Sequence, residues 1–231
     1  MELIGQGLLQ ALTLLAGGDS QVWQITWLSL RVSATATLLA LVLGVPVGTV
    51  LALTRFPGRG FVVSLINTGM GLPPVVVGLF VTIVLWRNGV LGGLELLYTP
   101  TAMILAQLII AAPIVTGLTL AAIQQVPERF RLQLLALGAS RAQLVWTLLK
   151  EARLPMLAAV MAGFGAVISE VGASLMVGGN IKGSTRVLTT ATVLETGKGN
   201  FDTAIALSLI LLLLMFLVNW ALTWIQQGRR A

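Results

Sequence analysis

Cysteine and histidine are both absent from the 231 residues, and tyrosine occurs once. Without thiol or imidazole there is no disulfide, no thiolate or imidazole metal site, no cysteine nucleophile and no histidine-dependent triad. Charge is scarce too. Only 10% of residues are Asp, Glu, Lys or Arg, where a water-soluble globular domain carries about 25%. Apolar residues fill the space, at 57% of the chain and a mean hydropathy of +0.96. This composition is that of an integral membrane protein. The net charge of +6 does not point to nucleic acid, because the basic residues are scattered between apolar runs and form no basic face.

Crossing the hydrocarbon takes about 20 apolar residues in a helix, and five stretches qualify. They run over about 27–53, 61–86, 100–123, 155–177 and 203–225. Pro46 lies inside the first, "NTGMGLPP" (Asn67 to Pro74) interrupts the second, and Thr99 with Pro100 offers the third an N-cap and a first-turn proline. The paired prolines read equally as a kink or as a broken segment beside a cavity. The fourth stretch contains Glu170. Before the first, "MELIGQGLLQALTLLAGGD" lacks a basic n-region and a small-residue cleavage site, so it is expected to be a retained interfacial helix. With no internal repeat and no low-complexity segment, residues 1–231 form one membrane domain.

Lys and Arg set the orientation. If segments 55–59, 124–153 and 228–231 share one side, that side holds nine basic and two acidic residues, leaving five basic and six acidic elsewhere. The positive-inside rule then places the amino terminus outside and the carboxyl terminus in the cytoplasm.

The longest polar excursion is "QQVPERFRLQLLALGASRAQLVWTLLKEARLP", Gln124 to Pro155. Pro127 and Glu128 suit a helix start. Leu132, Leu135 and Ala136 recur at helical spacing, Gly138 breaks the run, and Ser140 with Gln143 forms a capping box for a second helix. That helix carries Leu144, Val145, Leu148 and Leu149 on one side. Two hinged helices with apolar knobs suit either an anionic lipid surface or a groove on a cytoplasmic partner.

"LALGAS" followed by a helix and "LP" resembles the EAA loop through which ABC-importer permeases couple to their ATPase. The family's Glu-Ala-Ala stands here as Leu132, Gln133 and Leu134, and the stretch from Gly138 to Pro155 is longer by about one helical turn. "LPPVVVGL" (72–79), "AAPIVTGL" (111–118) and "SEVGASLMVGGNIKGSTRVLTTATVLETGKGNFD" (169–202) resemble oxyanion-importer permeases of the molybdate, sulfate and tungstate branch, tungstate most closely. The resemblance covers nearly everything after Val22. It implies an all-α type I ABC-importer permease fold of about five transmembrane helices plus the amino-terminal interfacial helix, in the bacterial cytoplasmic (inner) membrane. It also implies a homodimer served by a cytoplasmic ABC ATPase dimer and an extracytoplasmic oxyanion-binding protein. No phosphate-loop motif G-x-x-x-x-G-K-[ST] is present, so no cofactor is expected on this chain and ATP-Mg would be used by the partner.

Two sets of site residues follow. The ATPase-coupling loop is assigned Leu135, Ala136, Gly138, Ala139, Ser140, Gln143 and Leu144. The translocation pathway and gate are assigned Glu170, Gly172, Ser174, Gly178, Gly179, Asn180, Lys182, Thr185 and Arg186. Gly172 and Ser174 permit close helix approach, and the glycines at 178, 179 and 183 break the helix where irregular backbone needs protein or a water-filled cavity around it. "GSTRVLTTATVLETG" (183–197) then reads as a short helix capped by Ser184 or Thr185 and closed by Gly197. Its amino end, with Lys182 and Arg186, would attract a tetrahedral dianion. The same two cations also suit the headgroup layer, Glu170 suits a structural hydrogen bond as well as a gate, and Arg31 is expected to snorkel. A secondary carrier would need no ATPase but favours inverted repeats. An intramembrane enzyme lacks a nucleophile–base set beyond Glu170.

Overall fold

The computed structural model describes residues 19–227, together with Leu9, Thr13 and Gly17. The interfacial helix expected at the amino terminus, and Arg229 and Arg230 of the orientation argument, lie outside the described residues. Ten α-helices and one 3-10 turn, with no strand among the described residues, account for the architecture. Helix α1 runs Ser20–Leu53, α2 Arg59–Met70, α3 Pro74–Leu85 and α4 Pro100–Gln124. After it come α5 Glu128–Ala136, α6 Arg141–Glu151, α7 Arg153–Ile168, α8 Gly172–Gly178, α9 Leu188–Gly197 and α10 Phe201–Gln227.

Three helices, α1, α4 and α10, are each long and apolar enough to cross a membrane, and the count reaches five if each bent pair is one span. The chain is thus a multi-pass all-helical membrane protein. The pair α2–α3 bends by 100° at Gly71–Pro73. Pro73 and Pro74 have no N–H for the preceding turn, and their paired rings crowd it, so the helix breaks there and restarts with Pro74 in its first turn. Helix α1 begins at Ser20, before the apolar run itself, because the Asp19 carboxylate accepts from the N–H groups of Gln21 and Val22 at 2.8 and 3.0 Å. Thr99 caps α4 as its sequence suggests, accepting from Ala102 N–H.

The fourth stretch is not one helix. It ends at Ile168 and resumes at Gly172. The bend that the α7 region does share is with α6, at 68°.

Helices α1 and α4 run parallel and pack most extensively of all pairs. The core is built around α4, with Met103, Ala106, Ile110, Ala111 and Val115 meeting Val32 and Ala40 of α1, Val77 and Val81 of α3, and Ala173 and Val177 of α8. Helices in lipid gain no hydrophobic drive from one another, so small residues that permit close packing do the holding. Large apolar side chains such as Leu38, Val42, Phe80, Leu212 and Phe216 point outward instead, as a lipid-facing surface requires.

Candidate functional site

Two helix breaks meet inside the bundle. Glu170, buried, accepts from Ala173 N–H through Oε1 at 2.8 Å and so starts α8, while its own carbonyl accepts from Thr189 Oγ1 at 3.0 Å. Among the described residues no Lys or Arg forms an ion pair with it. The carboxylate is therefore a helix cap, which explains why the span stops at Ser169. Helix α8 lies against α3 just past the paired prolines: a Cβ on Gly172 would sit 2.6 Å from Val75 Cγ2, and one on Gly78 would sit 2.7 Å from Ala173 Cα. Ser174, also buried, receives Gln107 Nε2 at 3.4 Å, leaving Gln107 Oε1 buried without a partner. Sequence reading passed over Gln107, although an amide in the middle of an apolar span was a signal for it.

The turn after α8 is a closed knot. Thr185, fully buried, donates to the Gly178 carbonyl and accepts from Ile181 N–H at 3.0 Å. The amides of Ser184, Thr185 and Arg186 all reach the Ile181 carbonyl. Asn180, at φ 52°, donates to the Thr190 carbonyl and accepts from Arg186 Nε at 3.2 Å, while Arg186 Nη2 reaches the Asn180 carbonyl at 3.3 Å. Tyr98 closes the knot from the other side, its N–H on the Val177 carbonyl at 2.8 Å and its ring over Gly179. Replacing Thr185 by valine keeps the shape but strands the Gly178 carbonyl and the Ile181 N–H, each costing about 1–3 kcal/mol. A lower melting temperature of the solubilised Thr185→Val protein, at unchanged membrane insertion, is the expected result.

Two expectations for the helix after this knot are corrected. Neither Ser184 nor Thr185 caps α9, because Thr185 is spent on the knot. The cap is Thr190, which accepts from Val187 N–H at 3.1 Å. The amino end of α9 is also not open to an anion. Val187 to Thr190 are buried, and the Leu188 N–H donates to Ser29 Oγ of α1 at 2.8 Å. The helix is closed by Gly199 at φ 80°, with Asn200 N–H returning to the Glu195 carbonyl, and not by Gly197. The Lys198 ammonium, and then the Asn200 amide, hold the Glu195 carboxyl below its usual range.

The nine pathway candidates thus separate. Glu170, Gly172 and Ser174 sit at the break, and Gly178, Gly179, Asn180 and Thr185 build the knot. Lys182 and Arg186 line a cleft of about 550 Å³ against the first turns of α1. Arg31 lines the same cleft. It was expected to snorkel at the membrane boundary, and the fold places it on the same cleft as these two cations.

At the opposite end α5 and α6 form an elbow. Gly138 takes φ 79°, with its N–H on the Leu135 carbonyl and Ala139 N–H on that of Leu134, both at 3.0 Å. This is a helix-ending motif that wants a residue without Cβ. Ser140 and Gln143 complete their capping box, at 2.8 and 3.3 Å. Leu144 and Leu148 are buried and anchor the elbow to the bundle, so Leu144 offers no surface to another chain. Leu135, Ala136, Gly138, Ser140 and Gln143 are exposed and Ala139 is half-buried. Beside them Leu132, Leu137 and Trp146 are exposed apolar side chains among Arg129, Arg141 and Lys150, a surface that suits a partner groove or an anionic lipid layer. Leu137 and Trp146 were not singled out by sequence, because helical spacing alone does not separate the anchored face from the free one.

Residues 44–231 match the family described as "Binding-protein-dependent transport system inner membrane component". A protein of Haloferax volcanii named "Probable anion ABC transporter permease protein" is 46% identical over 84% of this chain and 86% of its own. The tungstate uptake system permease protein TupB of Peptoclostridium acidaminophilum is 38% identical over 98% of this chain and all of its own. Among solved structures, an inward-facing MetNI methionine ABC transporter chain superposes at a TM-score of 0.74 and 22% identity, covering 91% of this chain and 98% of that one, which supports the fold. By the match over residues 44–231 and these relatives, the chain belongs to the inner-membrane components of binding-protein-dependent transport systems.

Proposed function

We propose that this chain is the permease subunit of an ABC importer that carries tungstate inward, working as a homodimer on a separate cytoplasmic ATPase dimer. Identity of 38% to a tungstate permease along 98% of the chain carries the reading. In this reading the chain has no ATPase of its own: ATP-Mg belongs to the partner, and a distinct extracytoplasmic protein delivers the oxyanion. The elbow faces the cytoplasm and takes the stroke through Leu135, Ala136, Gly138, Ala139, Ser140 and Gln143, with Leu137 and Trp146 as further docking side chains. The amino terminus then lies outside. Glu170, Gly172 and Ser174 act as the gate, since the two facing breaks are the places where α3 and α8 can shift without unwinding a continuous helix. The knot from Gly178 to Arg186 frames the outer mouth.

Molybdate and sulfate share tungstate's tetrahedral dianionic shape, so the relative rates among the three test the substrate assignment. The chain reconstituted alone in vesicles is expected to pass no tungstate. Adding the ATPase, the binding protein and ATP-Mg is expected to start uptake, and the ATPase should co-purify only when residues 128–150 are intact. Steady tungstate flux through the chain alone would refute the reading in favour of a secondary carrier.

A further inference from the structure

We infer that the cleft between α1 and the 178–186 knot is a capture site for a free tetrahedral oxyanion, with Arg31, Lys182 and Arg186 as its three cationic walls. This deepens the transport reading above and rests on it. The cleft, of about 550 Å³, is lined by these three residues together with Gln21, Gln24 and Ser184, and among the described residues by no carboxylate. Ion pairing leaves all three cations untouched: the one salt bridge among the described residues joins Lys198 to Glu195. Arg31 and Lys182 make no hydrogen bond within the described residues, and Arg186 spends Nε and Nη2 on Asn180 while Nη1 stays free.

Like charges in one cleft repel; Arg186 also acts on the Glu195 carboxylate, but Glu195 lies outside the cleft lining, so an anion in the cleft would relieve the repulsion. Rigidity favours a small ligand. The knot holds Arg186 by two bonds to Asn180, so that donor is set in place before the ligand arrives, while Arg31 and Lys182 reach in on flexible stems. Guanidinium and ammonium together match an oxyanion: Arg gives directed N–H groups, Lys a point charge, and the Gln and Ser side chains neutral donors. Partial exposure of the cleft weakens each contact, as a stage in a passage requires, since the cargo must leave again.

The test is equilibrium binding of radiolabelled tungstate to the purified full-length chain in a neutral detergent. Saturable binding that falls with salt is expected. Arg31→Gln and Lys182→Gln should each weaken it about tenfold, the loss of one charge-assisted contact, while Arg31→Lys and Lys182→Arg retain most of it. Unchanged melting temperatures would show that the glutamine variants remain folded. Absence of tungstate binding to the unaltered chain, or equal binding by the glutamine variants, overturns the inference. So does displacement by anionic phospholipid without competition from free molybdate or phosphate, which would assign the cations to a lipid headgroup. Tungstate binding that survives in Arg31→Gln while affinity for the extracytoplasmic binding protein falls would assign them to an acidic protein surface instead. Uptake by the complete transporter separates the two claims. If the unaltered complex pumps tungstate and Arg31→Gln pumps equally well, the capture site falls and the transport reading stands. If the unaltered complex pumps none, the transport reading falls whatever the cleft binds.

Discussion

Gly138→Val is expected to insert into the membrane at normal levels and to lose most of its ATP-driven uptake. At φ 79° valine is forced into a left-handed conformation that L-residues other than glycine, asparagine and aspartate avoid. Space is not the obstacle, since a Cβ at this position meets nothing within 4 Å. The strain of about 1–2 kcal/mol is relieved by moving the angle between α5 and α6, which are otherwise held together by few contacts. If that whole amount falls on the docking-competent angle, uptake drops by about 5- to 30-fold, because 1–2 kcal/mol shifts an equilibrium by that factor. Asn tolerates the same backbone, so Gly138→Asn should keep much of the activity. Uptake in proteoliposomes containing the ATPase and the binding protein, normalised to membrane content, separates the cases. Uptake by the valine variant at the unaltered rate would show that the elbow angle does not matter.

The second large effect is on folding. Gly44 and Gly48, one turn apart on α1, are where α4 comes closest. A Cβ at Gly48 would lie 2.6 Å from the Thr116 carbonyl oxygen, 2.9 Å from Thr119 Cβ and 3.1 Å from Leu120 N. Two of those are backbone atoms of a buried helix, which cannot swing aside as a side-chain tip can. Gly48→Ala therefore separates the most extensive helix pair in the molecule, at about 1–3 kcal/mol, and should lower the melting temperature measurably. Gly48→Val, with two further methyl groups, is expected to leave little folded protein in the membrane. Gly165→Ala is the control: nothing lies within 4 Å of its Cβ, and alanine is the better helix former by about 1 kcal/mol. Its melting temperature should be unchanged or higher. A Gly48→Ala protein as stable as the Gly165→Ala one would show that the α1–α4 approach is not required.

What could be read from the sequence was local. Pro73 and Pro74 announce a break because proline acts on its own turn, and Gly138, Ser140 and Gln143 announce the elbow because caps and helix-ending glycines are short-range devices. Runs of apolar residues gave the spans for the same reason. The misses were long-range. Ser29 and Leu188 stand 159 residues apart, yet their hydrogen bond decides that the start of α9 is closed to a ligand. Arg31 was expected to snorkel, and only the tertiary fold brings it to the same cleft as Lys182 and Arg186. Glu170 was placed in the right segment, but its work as a cap depends on Ala173 N–H being released by a helix end that the apolar pattern hides. Gly44 and Gly48 carry the small-xxx-small signature of a helix contact, obscured by Pro46 between them.

Helix α1 spans 34 residues, about 51 Å at 1.5 Å per residue, against a hydrocarbon layer of about 30 Å. It stands like a mast, with Arg31 toward one end and, at the other, the Leu51 carbonyl held by Arg59 Nε at 2.8 Å. A tilt imposed at its foot therefore arrives at its head as a sideways sweep of one wall of the cation-lined cleft. Through this single spar, a movement at the Arg59 end of the helix is passed on, enlarged, to the Arg31 end.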